Sequence, residues 1–454
     1  MNDTICALAT AVGGALGIIR ISGPDAIRSV SAISFPGLNS ATANTIYHTR
    51  IRASEEVVDE VLVSVFRAPH SYTGEDSVEI SCHGSRYILG KVLELLVQNG
   101  CRMAGPGEFT QRAYLNGKLD LSQAEAVADL IASTNKATHD MAMSQLRGAF
   151  SSELKNLRKQ LLKLTTLLEL ELDFSDHEDL EFADRHELTE LAQFIDSQIV
   201  RLATSFEMGQ VLKQGIPVAI VGKTNVGKST LLNRFARDNR AIVSDIHGTT
   251  RDTIEETIVI NGVQFRFIDT AGIRQTSDAV EQMGIERTYQ MIDKARIVLW
   301  LIDEEPCPSE FHDMQKRCEG KKLIVIQNKI DLKTTLSTLS KSEGTTANTC
   351  DLRISAKYDE DISFLEQAIY AAADIPTLSE SDIIVTNARH YKSLTNAHDN
   401  LSRVIEGLHN NLSGDLLAED LRIVLYDLAE ITGEGMISSQ EVLTNIFSSF
   451  CVGK

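Results

Sequence analysis

Residues 216–229 read Ile-Pro-Val-Ala-Ile-Val-Gly-Lys-Thr-Asn-Val-Gly-Lys-Ser, an apolar strand followed at once by a glycine-rich loop. The loop has the pattern G-x-x-x-x-G-K-S, and a helical run at 230–237 follows it, which is the strand–loop–helix setting that the motif requires. In such a loop backbone N–H groups turn inward around phosphate oxygens at a helix N-terminus. Lys228 would neutralise the β and γ phosphates, and the Ser229 hydroxyl would ligate Mg²⁺. The stretch predicts a nucleotide-binding α/β domain.

Two motifs further along the chain favour guanine over adenine. An apolar strand at 323–327 ends in Asn328-Lys329-Ile-Asp331. A carboxylate at that place can accept hydrogen bonds from both N1–H and the 2-amino group of guanine. Adenine lacks this donor pair, so ATP would leave the Asp331 carboxylate unpaired. Ser355-Ala356-Lys357 would close over the base, with the Ala356 N–H directed at O6.

The residues between the phosphate loop and the base motifs predict the metal site and the switch. A hairpin turned at Asn261-Gly262, a type I′ signal, leads into a strand at 263–268. That strand ends in Asp269-Thr270-Ala271-Gly272, where Asp269 would hold the Mg²⁺ shell and the Gly272 N–H would sense the γ-phosphate. In Thr249-Thr250-Arg251-Asp252 one threonine should ligate Mg²⁺ when the γ-phosphate is present. Otherwise this segment is a polar loop.

The position after Gly272 departs from the pattern of Ras-type enzymes, which carry a glutamine there to orient the attacking water. Here the residue is Ile273, which can neither donate nor accept a hydrogen bond. Another side chain must therefore position the water, and the charge of an arginine finger must come from elsewhere.

Composition limits the partners. The chain has 454 residues, enough for two to four domains. Its net charge of −19 argues against binding of nucleic acid through the overall charge of the protein. An RNA partner would therefore need a local basic patch or a second protein. No apolar run approaches the roughly 20 residues that span a bilayer. The seven scattered cysteines contain no C-x-x-C pair, which argues against a structural zinc site and against a disulfide framework. We therefore expect the protein to reside in a reducing cytoplasm.

The chain divides into four predicted pieces: a small α/β or α+β domain at 1–117, a helical segment at 118–212, the nucleotide-binding domain at 213–376 and a second helical segment at 377–454. Ser122–Glu125 predicts a capping box at a helix start. The acidic run 169–196 predicts a solvated surface that repels tRNA or a membrane. Two apolar stripes at helical spacing predict core seams: Phe150, Leu154, Leu157, Leu161, Leu164 and Leu168, and then Leu417, Leu421, Val424, Leu428 and Ile431. We expect the two helical segments to pack as one domain, with the α/β module inserted between them.

The outer segments carry a more specific resemblance, given by Tyr72-Thr-Gly-Glu-Asp76, Gly105-Pro-Gly-Glu-Phe-Thr110, Asn116-Gly-Lys-Leu-Asp-Leu121 and Phe450-Cys-Val-Gly-Lys454. In order and over essentially the whole chain, it resembles the bacterial tRNA-modification GTPase family MnmE, also called TrmE, of the TrmE–Era–EngA-like GTPases. The resemblance implies a multidomain α/β protein, with an N-terminal α+β folate-binding domain, a discontinuous all-α domain and an inserted Ras-like G domain.

The resemblance also implies an activity and partners. Such proteins are cytoplasmic homodimers that pair through their N-terminal domains and work as a heterotetramer with the FAD-dependent protein MnmG, away from membranes. They use GTP, Mg²⁺, K⁺ and a one-carbon unit from 5,10-methylene- or 5-formyl-tetrahydrofolate. Together the two proteins install an aminomethyl or carboxymethylaminomethyl group on C5 of the tRNA wobble uridine.

Family roles fall on matching positions of this chain. The folate positions are Arg20, Glu79, Lys118 and the terminal Lys454. The K⁺ ligands are Asn225, Ser244, Ile246 and Thr249, the Mg²⁺ threonine is Thr250, and the water-orienting glutamate is Glu281. The implied GTP contacts are Asn225, Val226, Gly227, Lys228, Ser229, Thr230, Ser244, Asp245, Ile246, His247, Gly248, Thr249, Thr250, Asp269, Thr270, Ala271, Gly272, Asn328, Lys329, Asp331, Ser355, Ala356 and Lys357.

Some positions differ from the commonest family pattern, such as Lys223-Thr224 where Arg-Pro is frequent, and the role of Cys451 stays open between a carbon-unit carrier and an inert thiol. Two other functions compete with this interpretation. A regulatory RNA-binding GTPase for ribosome assembly would carry a basic KH-type appendage, and a folate-binding scaffold would carry a degenerate, non-hydrolysing G site.

Overall fold

The computed structural model describes residues 3–173, 185–238, 256–268, 281–333, 350–375, 383–434, 443, 446–448 and 450–453. These residues form two compact units. The first unit consists of Met1–Ala132, Ala142–Ala203 and Arg389–Lys454, and the second unit consists of Ser133–Met141 and Thr204–Ala388. The predicted boundaries at 213 and 376 both fall inside the second unit. Across the described ranges no helix combines the length and the apolar character that crossing a membrane requires.

The first unit contains a six-stranded sheet made of β1 (Thr4–Leu8), β2 (Leu16–Ser22), β3 (Thr45–Ala53), β4 (Glu56–Phe66), β5 (Ser77–His83) and β6 (Cys101–Met103). Its strand order is β3-β4-β5-β2-β1-β6, and neighbours are antiparallel except for β1 and β6. Alternate side chains of each strand point to one face, where α1 (Ala26–Ile33) and α2 (Arg86–Gln98) bury them. The other face, which we call the open face, exposes Leu16, Ile46 and Leu62, at 67%, 67% and 47% of their surface.

Short elements and a helical layer complete this unit. The 3₁₀ helix Pro36–Ser40 and α3 (Glu108–Leu115) belong to the sheet region. The long helices are α4 (Leu121–Ala132), α5 (Lys136–Leu146), α6 (Ala149–Asp173), α7 (Arg185–Gln214), α12 (Ala388–His409) and α13 (Gly414–Thr432). The first half of α5, the last part of α7 and the first residue of α12 belong to the second unit. Every residue of the two predicted stripes is buried to 3% exposure or less, so both predicted seams are confirmed. α6 packs along α13, which joins helices from the two ends of the chain.

The predicted capping box at Ser122–Glu125 is wrong by two residues. The Gln123 N–H donates to Asp120 Oδ1 at 2.9 Å, and the Asp120 N–H donates to Gln123 Oε1 at 3.0 Å, so the reciprocal cap is Asp120–Gln123. Ser122 instead shares a buried hydrogen bond with Ser151 at 3.1 Å. Glu125 is buried and accepts hydrogen bonds from Arg389 Nε and Nη2, both at 3.0 Å, so it is not part of the cap.

The second unit has a second six-stranded sheet, made of β7 (Ile216–Val221), β8 (Glu256–Ile260), β9 (Val263–Phe267), β10 (Ile297–Ile302), β11 (Lys322–Gln327) and β12 (Leu352–Arg353). The order is β12-β11-β10-β7-β9-β8, parallel except for the β8–β9 hairpin. Asn261 and Gly262 both have positive φ, 50° and 79°, which confirms the predicted type I′ turn. The helices are α8 (Lys228–Asp238), α9 (Glu281–Lys294), α10 (Pro308–Arg317) and α11 (Asp359–Ala372), with a 3₁₀ turn at Ile330–Lys333.

Residues 133–141 belong to this second unit because they hold the hairpin. Thr134 Oγ1 donates to Gln264 Oε1 at 2.8 Å, and the Ala137 N–H donates to the Gly262 carbonyl at 3.0 Å. The tip of the β8–β9 hairpin is thereby fixed to a segment that lies more than a hundred positions earlier in the sequence.

Candidate functional site

The phosphate loop lies at the carboxyl end of β7 and leads directly into α8. Gly222 has a φ of +149°, and a Cβ added there would lie 2.3 Å from the Leu301 carbonyl oxygen on β10. Asn225 and Gly227 also have positive φ, 63° and 101°. A Cβ on Gly227 would meet Asn328 Nδ2 at 2.3 Å. Glycine is therefore required at both motif positions, because the loop folds tightly against its neighbours.

A buried amide joins the phosphate loop to both base motifs. Asn328, 2% exposed, donates from Nδ2 to the Val226 carbonyl at 2.8 Å. Its Oδ1 accepts the Ala356 N–H at 3.0 Å. Asn328 thus positions three loops at once, a role that its place in the Asn-Lys-Ile-Asp motif did not by itself indicate.

Two lysines lie over the same loop. Lys329 has a φ of +63° and donates from Nζ to the Asn225 carbonyl at 2.5 Å. Lys228 Nζ donates to the carbonyls of Gly222 and Lys223, both at 2.6 Å. Burial lowers the pKa of the Lys228 ammonium, so an anion beside it would stabilise its charged form. A phosphate at the loop would supply that anion.

The carboxylate predicted to read guanine is held in place. Ser355 Oγ donates to Asp331 Oδ1 at 2.8 Å, and the Ile330 N–H donates to the Ile354 carbonyl at 3.4 Å. Ser355 is 2% exposed, so its hydroxyl has little freedom to turn away. The structure therefore brings together the predicted phosphate loop, the Asp331 carboxylate and the Ala356 N–H at the carboxyl edge of one parallel sheet.

The remaining predicted nucleotide residues divide into two groups. Ser229 and Thr230 lie in the first turn of α8, and Lys357 is exposed beyond Ala356. Glu281 begins α9, but its side chain lies outside the description. Also outside the described residues are Ser244, Asp245, Ile246, His247, Gly248, Thr249, Thr250, Asp269, Thr270, Ala271, Gly272 and Ile273, together with Lys454.

A second polar cluster lies on the open face of the first unit's sheet; we call it the Arg20 cluster, formed by Arg20, Tyr72, Glu79, Phe109 and Gly453. Arg20 and Glu79 are direct partners across β2 and β5, and Arg20 Nε and Nη2 each lie 2.9 Å from Glu79 Oε1. The guanidinium also lies 5.4 Å from the Tyr72 ring centre and 5.8 Å from that of Phe109. The sequence motifs contained both rings but gave no sign that they pack on Arg20.

The C-terminal segment reaches this cluster. Arg20 Nη1 donates to the Gly453 carbonyl at 3.4 Å. Val452 pairs with Pro106 in an isolated antiparallel β-bridge. The Gly107 N–H donates to the Cys451 carbonyl at 3.3 Å. The Cys451 side chain itself is exposed. The residue before Lys454 is thus fixed beside two of the predicted folate positions.

The last predicted folate position, Lys118, contacts the loop that carries Tyr72. Its Nζ donates to the Pro69 carbonyl at 3.1 Å. Its Cγ would lie 3.3 Å from a Cβ added to Gly74.

Comparison with known proteins gives consistent matches along the chain. Family models of the MnmE helical domain and of the N-terminus of GTP-binding protein TrmE match residues 121–451 and 4–118. A Bacteroides fragilis protein named tRNA modification GTPase MnmE is 55% identical over 466 residues, covering 100% of both chains. Its namesake from Phocaeicola vulgatus is 53% identical over 499 residues, covering 100% of this chain and 99% of the relative. The solved FeoB G-domain from Methanococcus jannaschii is 22% identical, covering 35% of this chain and 97% of that one, but its TM-score of 0.24 is too low to bear on the fold.

Proposed function

The chain belongs to the MnmE family of tRNA modification GTPases, so it is a GTP hydrolase of tRNA modification, and we propose that it acts there as a K⁺-activated, folate-dependent enzyme on the wobble uridine. The observation that carries this proposal is identity above half along the full length of relatives that bear that name. The test is nucleoside analysis of tRNA from cells that lack this chain. Wobble uridines should lose their C5 aminomethyl and carboxymethylaminomethyl groups, and unchanged nucleosides would contradict the proposal.

The proposed nucleotide is GTP with Mg²⁺. The Asp331 carboxylate, held by Ser355, supports guanine recognition, since it can accept both donors of the guanine edge. Ser229 in the first turn of α8 suits Mg²⁺, which prefers oxygen ligands, and Thr250 would supply the second hydroxyl. Ser229 and Thr250 would hold the metal, whose positive charge would offset that of the nucleotide phosphates.

Potassium is proposed to take the place of an arginine finger. Asn225 sits on the phosphate loop with a φ of +63°, one residue before Val226, whose carbonyl is fixed by Asn328. With Ser244, Ile246 and Thr249 it would provide neutral oxygens for a monovalent cation, and the cation would offset charge that develops between the β and γ phosphates. In KCl the kcat for GTP should exceed that in NaCl of the same ionic strength. Equal values would exclude the cation's role.

Glu281 is the proposed water-orienting residue, which the apolar Ile273 makes necessary. A group used only in the transition state leaves ground-state binding intact. Glu281→Ala should therefore keep GTP affinity near that of the wild type while kcat falls by orders of magnitude. A parallel loss of GTP affinity would instead make Glu281 a binding residue.

The Arg20 cluster supports a folate site. An arginine suits the glutamate tail of tetrahydrofolate, a carboxylate suits the pterin amino group, and Lys118 and Lys454 would add positive charge. Titration of the full chain with 5-formyl-tetrahydrofolate tests the assignment. Glu79→Gln should weaken binding of this folate. The control is Glu60→Gln on β4, which removes the exposed ion-pair partner of Arg50 and should leave binding unchanged.

The proposed assembly is a homodimer that works with the flavoprotein MnmG. Leu16, Ile46 and Leu62 on the open sheet face offer apolar surface for pairing with a second copy. A negative charge introduced there, as in Ile46→Glu, should convert the dimer to a monomer in sedimentation experiments. A dimer that survives the change would place the contact elsewhere.

A further inference from the structure

A groove of about 660 Å³ runs between α6 and α7 in the first unit. Asn156, Lys159, Gln160 and Lys163 occupy positions i, i+3, i+4 and i+7 on α6, which places them along one face of that helix. The opposite wall comes from α7. The lining is Glu153, Asn156, Leu157, Lys159, Gln160, Lys163, Phe194 and Gln198.

The charge of the groove differs from that of the chain. Lys159 and Lys163 are exposed, and within the described ranges no carboxylate pairs with either. The lining contains one acid, Glu153, which Arg201 neutralises at 2.9 Å. On a protein of net charge −19, this is a local basic strip that an anionic polymer could follow.

Two uncharged features of the groove point to nucleotides rather than to acidic side chains. Phe194 exposes 51% of its surface at the groove wall, where an aromatic ring can stack on a base. Gln160 Oε1 is buried and accepts no hydrogen bond from the described residues. Once the Gln160 side chain turns towards the groove, a ribose hydroxyl or a base amino group can donate to this oxygen, whereas an ionised carboxylate cannot.

Resting on the proposed function, we propose that this groove binds a short stretch of the tRNA substrate, with Lys159 and Lys163 on successive phosphates and Phe194 under a base. Phe194 lies near the end of the acidic run 169–196, and Glu190 of that run lies one turn away and 3.6 Å from His186. The predicted repulsion of tRNA by this run therefore limits the favourable strip to a short stretch. The groove therefore fits one or two nucleotides rather than a long duplex. RNA is recognised in this way where bases are unstacked.

Binding of the full chain to a tRNA transcript with a wobble uridine, measured at several KCl concentrations, tests the groove. Log affinity falls as log salt rises, and each phosphate contact contributes roughly 0.7–0.9 to the steepness of that fall. K159Q/K163Q should therefore make the slope shallower by about 1.5. The control K316Q/K392Q removes two exposed lysines on α10 and α12 and should leave the slope unchanged. Phe194→Leu keeps apolar bulk but loses the stacking surface, and should weaken binding about tenfold without changing the slope. Basal GTP hydrolysis should be the same in all variants, since none touches the nucleotide site.

The outcomes separate this proposal from the proposed function. If the deletion strain lacks modified wobble uridines but K159Q/K163Q binds tRNA with the wild-type affinity and slope, the groove assignment is overturned and the function stands. If the variant keeps tRNA binding but loses capture of MnmG, the groove is a protein interface and the RNA assignment is overturned as well. Wobble uridines that stay modified without the chain would instead overturn the function.

Discussion

The nucleotide site and the Arg20 cluster are assembled in opposite ways. The described part of the nucleotide site comes from three continuous segments, 222–229, 328–331 and 355–357, each at the end of a parallel strand. The Arg20 cluster joins single residues, with Arg20 and Glu79 lying 59 positions apart and Arg20 and Gly453 lying 433 apart. A site made of continuous loops leaves motifs in the sequence, whereas a site made of isolated side chains leaves none that local spacing can show.

The largest expected effect tests the continuous site. Asp331→Asn replaces a carboxylate, which can accept hydrogen bonds from both N1–H and the 2-amino group of guanine, with an amide. The amide NH₂ is itself a donor and cannot accept from either group. Two charge-assisted hydrogen bonds of about 1.5–3 kcal/mol each are lost, so GTP affinity should fall by ~10²–10⁴-fold. Calorimetric titration of GTP and ATP measures the change and the loss of preference between the two nucleotides.

The control for that variant is Asp303→Asn, which removes a carboxylate just beyond β10 and outside the base motifs. The folate binding proposed for the Arg20 cluster should be unchanged in both variants, because that cluster belongs to the first unit. An Asp331→Asn protein that still prefers GTP over ATP would show that another group reads the base.

The next largest effect concerns scattered contacts in the first unit. Glu125, 8% exposed, accepts hydrogen bonds from Arg389 Nε and Nη2, both at 3.0 Å, and lies 2.6 Å from His390 Nε2. Removing one partner of a buried ion pair costs about 3–5 kcal/mol, since the other charges stay buried. Glu125→Gln should therefore lower the free energy of unfolding of the first unit by that amount, measured by urea unfolding, while GTP affinity stays unchanged.

The pH dependence of this contact has a definite sign. Burial alone raises the pKa of Glu125, but the charges of His390 and Arg389 outweigh it and lower the pKa to about 2. The carboxylate titrates near its ordinary value of about 4.5 in the unfolded chain. Its contribution is therefore present above about pH 4.5 and is lost as the pH falls towards 2. The stability gap between wild type and Glu125→Gln should shrink over that interval.

An exposed pair provides the comparison. Arg422 and Glu169 lie 3.3 Å apart with side chains 63% and 49% exposed, so Glu169→Gln should cost less than about 1 kcal/mol. If the two variants unfold alike, the buried cluster contributes no more than a surface pair.

A smaller effect tests the backbone of the phosphate loop. Gly227→Ala places a Cβ 2.3 Å from Asn328 Nδ2 at a φ of +101°. Backbone strain of this kind costs about 1–3 kcal/mol, and the loop can relieve it by leaving the phosphate-binding conformation. Nucleotide binding must then restore that conformation, so GTP affinity should drop by ~5–150-fold.

Gly320→Ala is a matched control for strain without collision. Gly320 has a φ of +76°, and a Cβ added there meets nothing within 4 Å. It should leave GTP affinity unchanged. Similar losses in both variants would mean that the effect comes from general destabilisation of the second unit rather than from a change in the phosphate loop.

Much of the fold could be predicted from sequence because its cause is periodic. The stripes on α6 and α13, and the Asn261-Gly262 turn, follow from local spacing and local φ preferences. The interior place of Glu125 could not be predicted, since it depends on Arg389 and His390 from a helix 264 positions later. A glutamate three residues after a serine fits a capping box equally well, so the local pattern was misleading there.

The smallest expected effect checks the corrected cap directly. Asp120 Oδ1 accepts the Gln123 N–H at 2.9 Å, and an N-cap Asp changed to Ala costs about 1 kcal/mol. Asp120→Ala should lower the unfolding free energy by that amount, and Asp120→Asn, which keeps an acceptor oxygen, should restore most of it. Urea midpoints at constant slope measure both. The comparison between the variants matters more than either value, because a cap is defined by its acceptor: if Asn fails to rescue Ala, the stabilisation comes from the charge of Asp120 near the start of α4 rather than from the hydrogen bond.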